Sequence, residues 1–275
     1  MNTDGWKVPA FELEEFKPKK SKYCVCIPVI NEGDKIKRQL EKLKPFSSEI
    51  IDLIILDGGS TDDSLNREFL VSNNVRALLT KKDKGKLSAQ LRMGFAYCLR
   101  EQYEGIITVD GNNKDSVESI PLFIEKLEEG YDFVQGSRYV PGGQEINTPL
   151  SRKMAIKLIH APFISFMAKF HYTDTTNGFR GHSTRLLLDS NLQPFRNIFD
   201  TYELLAYLSV KAPRLGYRTI EIPVKRVYPK GKVPTKISPW KGNILLIKIL
   251  LDLYKKKYDV QPAQLNYKNA IGERQ

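Results

Sequence analysis

Short, β-branched-rich apolar runs alternate with longer amphipathic stretches between residues 23 and 136, and this alternation limits the fold more than any other feature. YCVCIPV (23–29), DLIILD (52–57), VRALLT (75–80), IITVD (106–110) and YDFVQG (131–136) have the length and composition of strands. Between them, residues 33–43, 61–72, 86–101 and 116–129 carry helical periodicity. STDDS (60–64) and DSVES (115–119) offer N-caps and first-turn acids for two of these helices. Strands that are apolar almost throughout are covered on both faces, and helical crossovers join them as parallel neighbours. The expectation is an α/β chain, a mostly parallel sheet with helices on both faces.

Beyond residue 150 the pattern changes. MAIKLIHAPFISFMAKF (154–170) is helical in character but interrupted by Pro162, RTIEIPV (218–224) is another strand, and NILLIKILLDLYKKK (243–257) is a helix with a wide apolar face. The expected organisation is a peripheral arm over 1–20, one large domain over 21–240, and a C-terminal helical elaboration and tail over 241–275. A length of 275 residues with 41% hydrophobic content is ample for one core. No apolar run approaches the roughly 20 residues that span a bilayer. The best, ILLIKILLDL (244–253), is broken by Lys248 and Asp252. Cys24, Cys26 and Cys98 lack disulfide or zinc spacing, and the N-terminus shows no secretory signal, so a reduced cytoplasmic protein is expected. The formal net charge of +11 calls for an acidic partner without choosing among nucleotide phosphates, anionic lipid and nucleic acid.

The chemistry concentrates where the strands end. VDGNN (109–113) places Asp110 and Asn112 two residues apart on one side of an extended backbone. Ligands bind at such strand ends in open α/β sheets, and oxygen ligands there suit Mg²⁺ or Mn²⁺ carrying a diphosphate. Taken alone, Asp-Gly-Asn is more simply a turn. PVINE (28–32) puts Asn31 and Glu32 in the loop after the first strand, and DGGSTDDS puts Asp57 before two glycines, where it can accept from a base or ribose. Neither the dinucleotide fingerprint GxGxxG nor the phosphate loop GxxxxGK[ST] is present. KKDKGKLSAQLRMGF (81–95) offers Lys84, Gly85 and Lys86 at a helix start, which is an anion site or an ordinary capped helix.

PVINE, DGGSTD, KGKLSAQLRMGF, VDGNN, VQGSRYV and TDTTNGFRG occur in the order and approximate spacing of family 2 glycosyltransferases. Within that family the chain resembles the dolichyl-phosphate mannosyltransferase branch, over residues 22 to about 240. The resemblance implies a GT-A fold with its Rossmann-like nucleotide-binding sheet, a nucleotide-sugar donor, a polyprenyl-phosphate or glycan acceptor, and inverting transfer assisted by Mg²⁺ or Mn²⁺. It implies that Pro28, Asn31, Glu32 and Asp57 line the nucleoside pocket, that Lys86 lies near the nucleotide, and that Asp110 and Asn112 stand at the metal position. Two departures weaken the metal expectation. The second acid of the family's DxD is Asn112 here, and Lys114 stands where the branch often carries Gln; Asp115 is a substitute oxygen donor. Ser137 and Arg138 match the family's SR pair, and Arg152 matches an arginine near the acceptor phosphate. Asp174 is the candidate general base, needed for a hydroxyl acceptor but not for an anionic phosphate; Glu203 is a weaker acidic candidate, more simply an exposed helix carboxylate. Lys232 and Lys236, in the basic run RVYPKGKVPTK (226–236), are expected to close over the donor diphosphate.

Three rivals compete with this reading. A small-molecule hydroxyl acceptor would make Asp174 a true base. A nucleic-acid-binding protein would use the +11 charge, but its motifs and stacking aromatics are absent. A sugar nucleotidyltransferase would need a glycine-rich GxGxR loop, which is also absent. The apolar segments 154–170 and 243–257 suit either core packing or a peripheral position at the inner face of a membrane. His160, His171 and His182 have no metal spacing and read as packing or surface residues.

Overall fold

Side chains along the first apolar run divide between two layers. In YCVCIPV, Cys24 and Cys26 enter one hydrophobic cluster while Val25, Ile27 and Val29 enter the other, all of them buried. A computed structural model describes residues 3–47, 50–229 and 239–260, with side chains from 244 onward in the last segment. Its strands are β1 (Phe11–Glu15), β2 (Tyr23–Val29), β3 (Asp52–Asp57), β4 (Val75–Lys81), β5 (Gly105–Thr108), β6 (Phe133–Ser137), β7 (Gln144–Ile146), β8 (Arg180–Ser183), β9 (Thr219–Pro223) and β10 (Lys225–Val227). The large sheet runs β1–β4–β3–β2–β5–β8–β6–β9, and β7 pairs with β10 in a separate two-stranded sheet. Only β1 and β8 run against their neighbours. From β2 the chain winds outward through β3 and β4, then returns to place β5 on the other side of β2. The β2–β5 boundary is therefore a topological switch point, with a crevice at the C-terminal strand ends.

The helices are α1 (Asp34–Ser47), α2 (Arg67–Ser72), α3 (Leu87–Arg100), α4 (Ile120–Glu128), α5 (Leu150–Ala155), α6 (Ala161–Ala168), α7 (Thr184–Leu187), α8 (Glu203–Arg214) and α9 (Pro239–Tyr254). Residues from α3, α6, α8 and α9 cover the Cys24 face, and those from α1, α2 and α4 cover the Val25 face. The three thiols share more than burial: Sγ of Cys98, on α3, lies 3.4 Å from Sγ of both Cys24 and Cys26.

Four local expectations need correction. Part of the supposed arm is an edge strand, since β1 pairs antiparallel with β4 from Phe11↔Lys81 to Glu15↔Ala77. Its charged sequence FELEE suits an edge, where charge discourages further pairing. The helix placed at 61–72 starts only at Arg67, capped by Asn66, because Ser60 and Asp62 are used in the preceding turn. Pro162 does not break its helix: residues 156–160 form a π turn that leads into α6, where the proline sits in the first turn. Glu203 is buried, not exposed. It opens α8 and accepts from the Thr201 N–H at 2.7 Å.

Candidate functional site

The ends of β2 and β3 are tied together by short polar side chains. Asp57 closes β3, is almost fully buried, and accepts from the Ser60 N–H at 2.9 Å and the Ser60 hydroxyl at 2.6 Å. Asn31, left-handed at φ 47°, accepts from the Thr61 N–H at 2.7 Å, and its own N–H donates to Ser60 Oγ at 3.0 Å. Gln90 reaches up from α3 and donates to the carbonyls of Val29 and Leu56 at 2.9 and 2.8 Å. Asn31 and Asp57 are therefore joined through Ser60 and Thr61 at one rim of the crevice, with Pro28 and Glu32 close to Asn31 in the chain. Glu32 is also paired with Lys35, at 3.2 Å.

At Lys86 the start of α3 meets the segment that leads into α8. The N–H groups of Lys86 and Ser88, at the start of α3, donate to the carbonyls of Asp200 and Thr201 at 2.7 and 2.8 Å. Those two backbone donors are spent on the chain, and the Lys86 ammonium lies 5.7 Å from the centre of the Tyr202 ring.

Asp110 follows β5 at the switch point. Its neighbour Gly111 packs against β2 so closely that a Cβ there would meet Val29 Cγ2 at 2.9 Å. Because β8 lies antiparallel to β5, with Thr108 opposite Arg180, the Asn177–Gly178 turn comes down beside Asp110. A Cβ on Gly178 would stand 2.5 Å from Asp110 Oδ1, so only glycine lets this loop pack so close to the carboxylate. The other oxygen, Oδ2, accepts from Arg226 Nη2 at 3.0 Å and lies 3.4 Å from Asn112 Nδ2.

Arg226 is a buried residue of β10. The Ser116 N–H donates to the Lys225 carbonyl and the Val227 N–H to the Lys114 carbonyl, at 2.9 and 2.8 Å, fixing β10 to the segment after Asp110. Arg226 also pairs with Asp115 and reaches Asn177 Oδ1 at 3.3 Å. Burial pushes the Asp115 carboxyl up from its ordinary range, against the pull of Arg226, and its Oδ1 has no hydrogen-bond partner among the described residues.

Tyr228, one residue past β10, gathers the remaining cations. Its hydroxyl lies 3.4 Å from Arg138 Nη1 and 3.3 Å from Arg152 Nη1. Lys114, Arg152 and Arg226 stand 5.2, 5.5 and 5.7 Å from its ring centre. Burial alone would raise the Tyr228 phenol; Arg226, Arg152 and Arg138 outweigh it and leave it lowered. Lys114 is lowered too, chiefly by burial and then by repulsion from Arg226. Among the described residues, neither Lys114 nor Arg152 makes an ion pair with a carboxylate. Two cations without anions in one cluster make a receptor for an anionic ligand.

Asp174 is fully buried, and both its oxygens accept from Arg138, at 2.6 and 2.8 Å. Its backbone N–H donates to Glu221 at 2.9 Å. This arrangement holds Arg138 in place and leaves no free oxygen on Asp174 for a substrate proton. Arg180 is a buried clamp on the carbonyls of Thr175, Asn177 and Leu205. Lys232 and Lys236 lie outside the described residues. Of the expected site residues, Arg138 and Arg152 meet at the Tyr228 hydroxyl, and Asp110, with Asn112 beside it, joins them through Arg226. Arg226 and Tyr228 were hidden inside a run that reads as a basic loop. Their signal was the strand-like alternation VKRVY, with Arg226 on the same side as Val224 and Tyr228.

The family model for glycosyl transferase family 2 matches residues 24–193. An undecaprenyl-phosphate mannosyltransferase from Micrococcus luteus is 27% identical over 72% of this chain and 80% of its own length. A polyprenol monophosphomannose synthase from Mycolicibacterium smegmatis is 24% identical over 73% of this chain and 75% of its own. Among solved structures, glucosyl-3-phosphoglycerate synthase from Mycobacterium tuberculosis, crystallised with Mn²⁺, uridine diphosphate and glucosyl-3-phosphoglycerate, superposes with a TM-score of 0.57. That match covers 76% of this chain and 72% of the other at 16% identity, which speaks to the shared GT-A fold alone.

Proposed function

We propose, for a chain that belongs to glycosyl transferase family 2 and is a nucleotide-sugar-dependent glycosyltransferase, that it moves a hexose from a nucleotide sugar to a polyprenyl phosphate with inversion at the anomeric carbon. The observation that carries this reading is the cluster of Arg138, Arg152 and Lys114 around Tyr228, next to Asp110 at the switch point. In this reading Asn31, Glu32 and Asp57 hold the nucleoside, and Asp110 lies at the leaving diphosphate. Arg152 receives the acceptor phosphate, for which a guanidinium has the matching planar geometry, while Arg138, buried on Asp174, steadies the Tyr228 hydroxyl that both guanidiniums approach.

An oxygen of that phosphate attacks the anomeric carbon as the bond to the diphosphate breaks. The acceptor is already an anion, so no base is required. The engaged state of Asp174 favours this acceptor over a neutral hydroxyl, and its role becomes the positioning of Arg138. A divalent ion carried by the donor diphosphate, Mg²⁺ or Mn²⁺, would have Asp110 Oδ1 as its carboxylate ligand, because Arg226 holds Oδ2 and the Asn112 carboxamide oxygen already accepts from the Lys114 N–H at 3.2 Å. When bound, such an ion would neutralise part of the charge on the departing diphosphate.

The acceptor's lipid tail bears on location. Among the described residues no helix is long and apolar enough to cross a membrane. Yet α5, which carries Arg152, exposes Leu150 and Met154, followed by Leu158 and Ile159 in the π turn and Phe166 on α6. The adjoining α9 exposes Ile244, Ile247, Leu251 and Tyr254, and its Tyr254 ring lies 6.2 Å from that of Phe163. Lys153, Lys157, Lys248 and Lys255–Lys257 stand on or next to the same segments. An apolar face rimmed by lysines suits the surface of an anionic bilayer, with the acceptor phosphate presented at Arg152. The test is transfer from a panel of nucleotide sugars to a short-chain polyprenyl phosphate, scored as organic-extractable sugar. Sugar transferred to hydroxyl acceptors and none to the lipid phosphate would overturn the reading.

A further inference from the structure

A transferase that releases a nucleoside diphosphate must neutralise two ionised phosphates as the sugar departs. Two carboxylates holding a divalent ion do this in one way; fixed protein cations do it in another. The strand end at Asp110 carries the parts of the second solution. Asn112 supplies a carboxamide where a second carboxylate would bind the ion more strongly, and Lys114 follows two residues later. Arg226 is already seated on Asp110 Oδ2 at 3.0 Å, occupying one of the two oxygens a metal would use. The backbone hydrogen bonds between residues 114–116 and 225–227 lock Lys114 and Arg226 into one unit. Asp115 holds Arg226 from behind, while Lys114 faces the Tyr228 ring and has no carboxylate partner among the described residues.

We propose that Lys114 and Arg226 are the resident counter-cations of the donor diphosphate, so that a nucleoside diphosphate binds this chain without a divalent ion and a metal adds little. The proposal rests on the nucleotide-sugar reading above. On donor arrival Lys114 turns its ammonium from the tyrosine ring to a phosphate oxygen, and Arg226 shares its outer N–H between Asp110 and the phosphate.

The experiment is direct binding of UDP, GDP and CDP to the full chain by calorimetry, in EDTA and in Mn²⁺. Expected is one preferred nucleotide whose Kd changes by no more than about tenfold between the two conditions. Lys114→Gln should weaken binding in EDTA by about tenfold or more, the scale of one charge-assisted hydrogen bond. Asn112→Asp combined with Lys114→Gln should convert binding to a metal-dependent form. Arg226→Gln alone strips Asp115 of its partner and risks unfolding, so it is paired with Asp115→Asn, and this double variant should also lose binding in EDTA. A wild type that binds only with Mn²⁺ overturns the proposal and leaves the transferase reading standing. Binding in EDTA that Lys114→Gln and the Arg226 double variant both leave unchanged overturns it too. No binding of any nucleotide under either condition overturns both readings.

Discussion

At the scale of single residues, a buried ion pair and a buried histidine govern what pH and mutation do. Arg138 and Asp174 are both buried and joined by two hydrogen bonds, so removing one strands the other. Asp174→Asn should cost about 3–5 kcal/mol of stability, the usual penalty for breaking a buried pair from one side. Pairing it with Arg138→Met should return part of that loss, measured by urea unfolding. An Asp174→Asn protein as stable as the wild type would restore Asp174 as a free acid–base group. His182 lies between Phe95 and Phe133 with neither ring nitrogen hydrogen-bonded among the described residues, and burial pushes it from 6.5 to about 3. The unfolded chain therefore takes up a proton at His182 below its ordinary value, while the folded chain takes one up only near the lower value. His182 stays neutral at no cost above pH 6.5, and stability falls as pH drops from there toward 3, by up to about 1.4 kcal/mol per unit. His182→Phe should flatten that part of the stability–pH curve and leave stability at pH 8 equal or higher, since the unpaired ring nitrogens are gone. An unchanged slope would show that other groups carry the acid sensitivity. His160, lowered to about 4 by burial, adds to the same trend.

At the scale of elements, legibility followed burial. The runs that became β2 to β6 stood out because both faces are covered and their side chains are apolar in succession. β1 and β8 did not, since FELEE is an exposed edge and RGHS is sandwiched between β5 and β6 with almost no apolar side chain of its own. Asp57 and Asp110 could be placed at the sheet's mouth from order alone. Arg226 could not, because its partners Asp110 and Asp115 lie more than a hundred residues earlier and meet it only through the pairing of β10. The contact of α3 with the sheet offers a sharper test of the same packing. Gly94 lies over Leu56, and an added Cβ would fall 2.4 Å from Leu56 Cδ1 and 2.7 Å from Cδ2. Helix propensity favours Gly94→Ala by about 1 kcal/mol. Overpacking opposes it by about 1–3 kcal/mol, and Leu56 is fully buried in the apolar layer between α3 and the sheet. Overpacking should prevail, giving a net destabilisation read as a lower denaturation midpoint with an unchanged m-value. A stabilised Gly94→Ala protein would mean that α3 stands further from β3 than described.

At the scale of the whole molecule, charge and exposed apolar surface act together. A net charge of +11 draws the chain toward any anionic surface, but charge alone gives binding that disappears in salt. The face built from α5, α6 and α9 adds Leu150 at 72% exposure and Phe166 at 73%, side chains whose burial in a headgroup layer is insensitive to salt. The proposed docking therefore predicts two components in co-sedimentation with vesicles. Vesicles of anionic lipid should retain the chain at low salt, and a reduced but measurable fraction should remain at 0.5 M salt. Leu158→Glu with Phe166→Glu should abolish the salt-resistant fraction, because both positions are already exposed and a carboxylate there does not disturb the core. The same variant should keep its fold, and it should turn over a detergent-dispersed acceptor while failing on one embedded in vesicles, since Arg152 would no longer be held at the bilayer surface. Equal rates on both forms of acceptor would detach this face from the reaction and leave it a site for another partner.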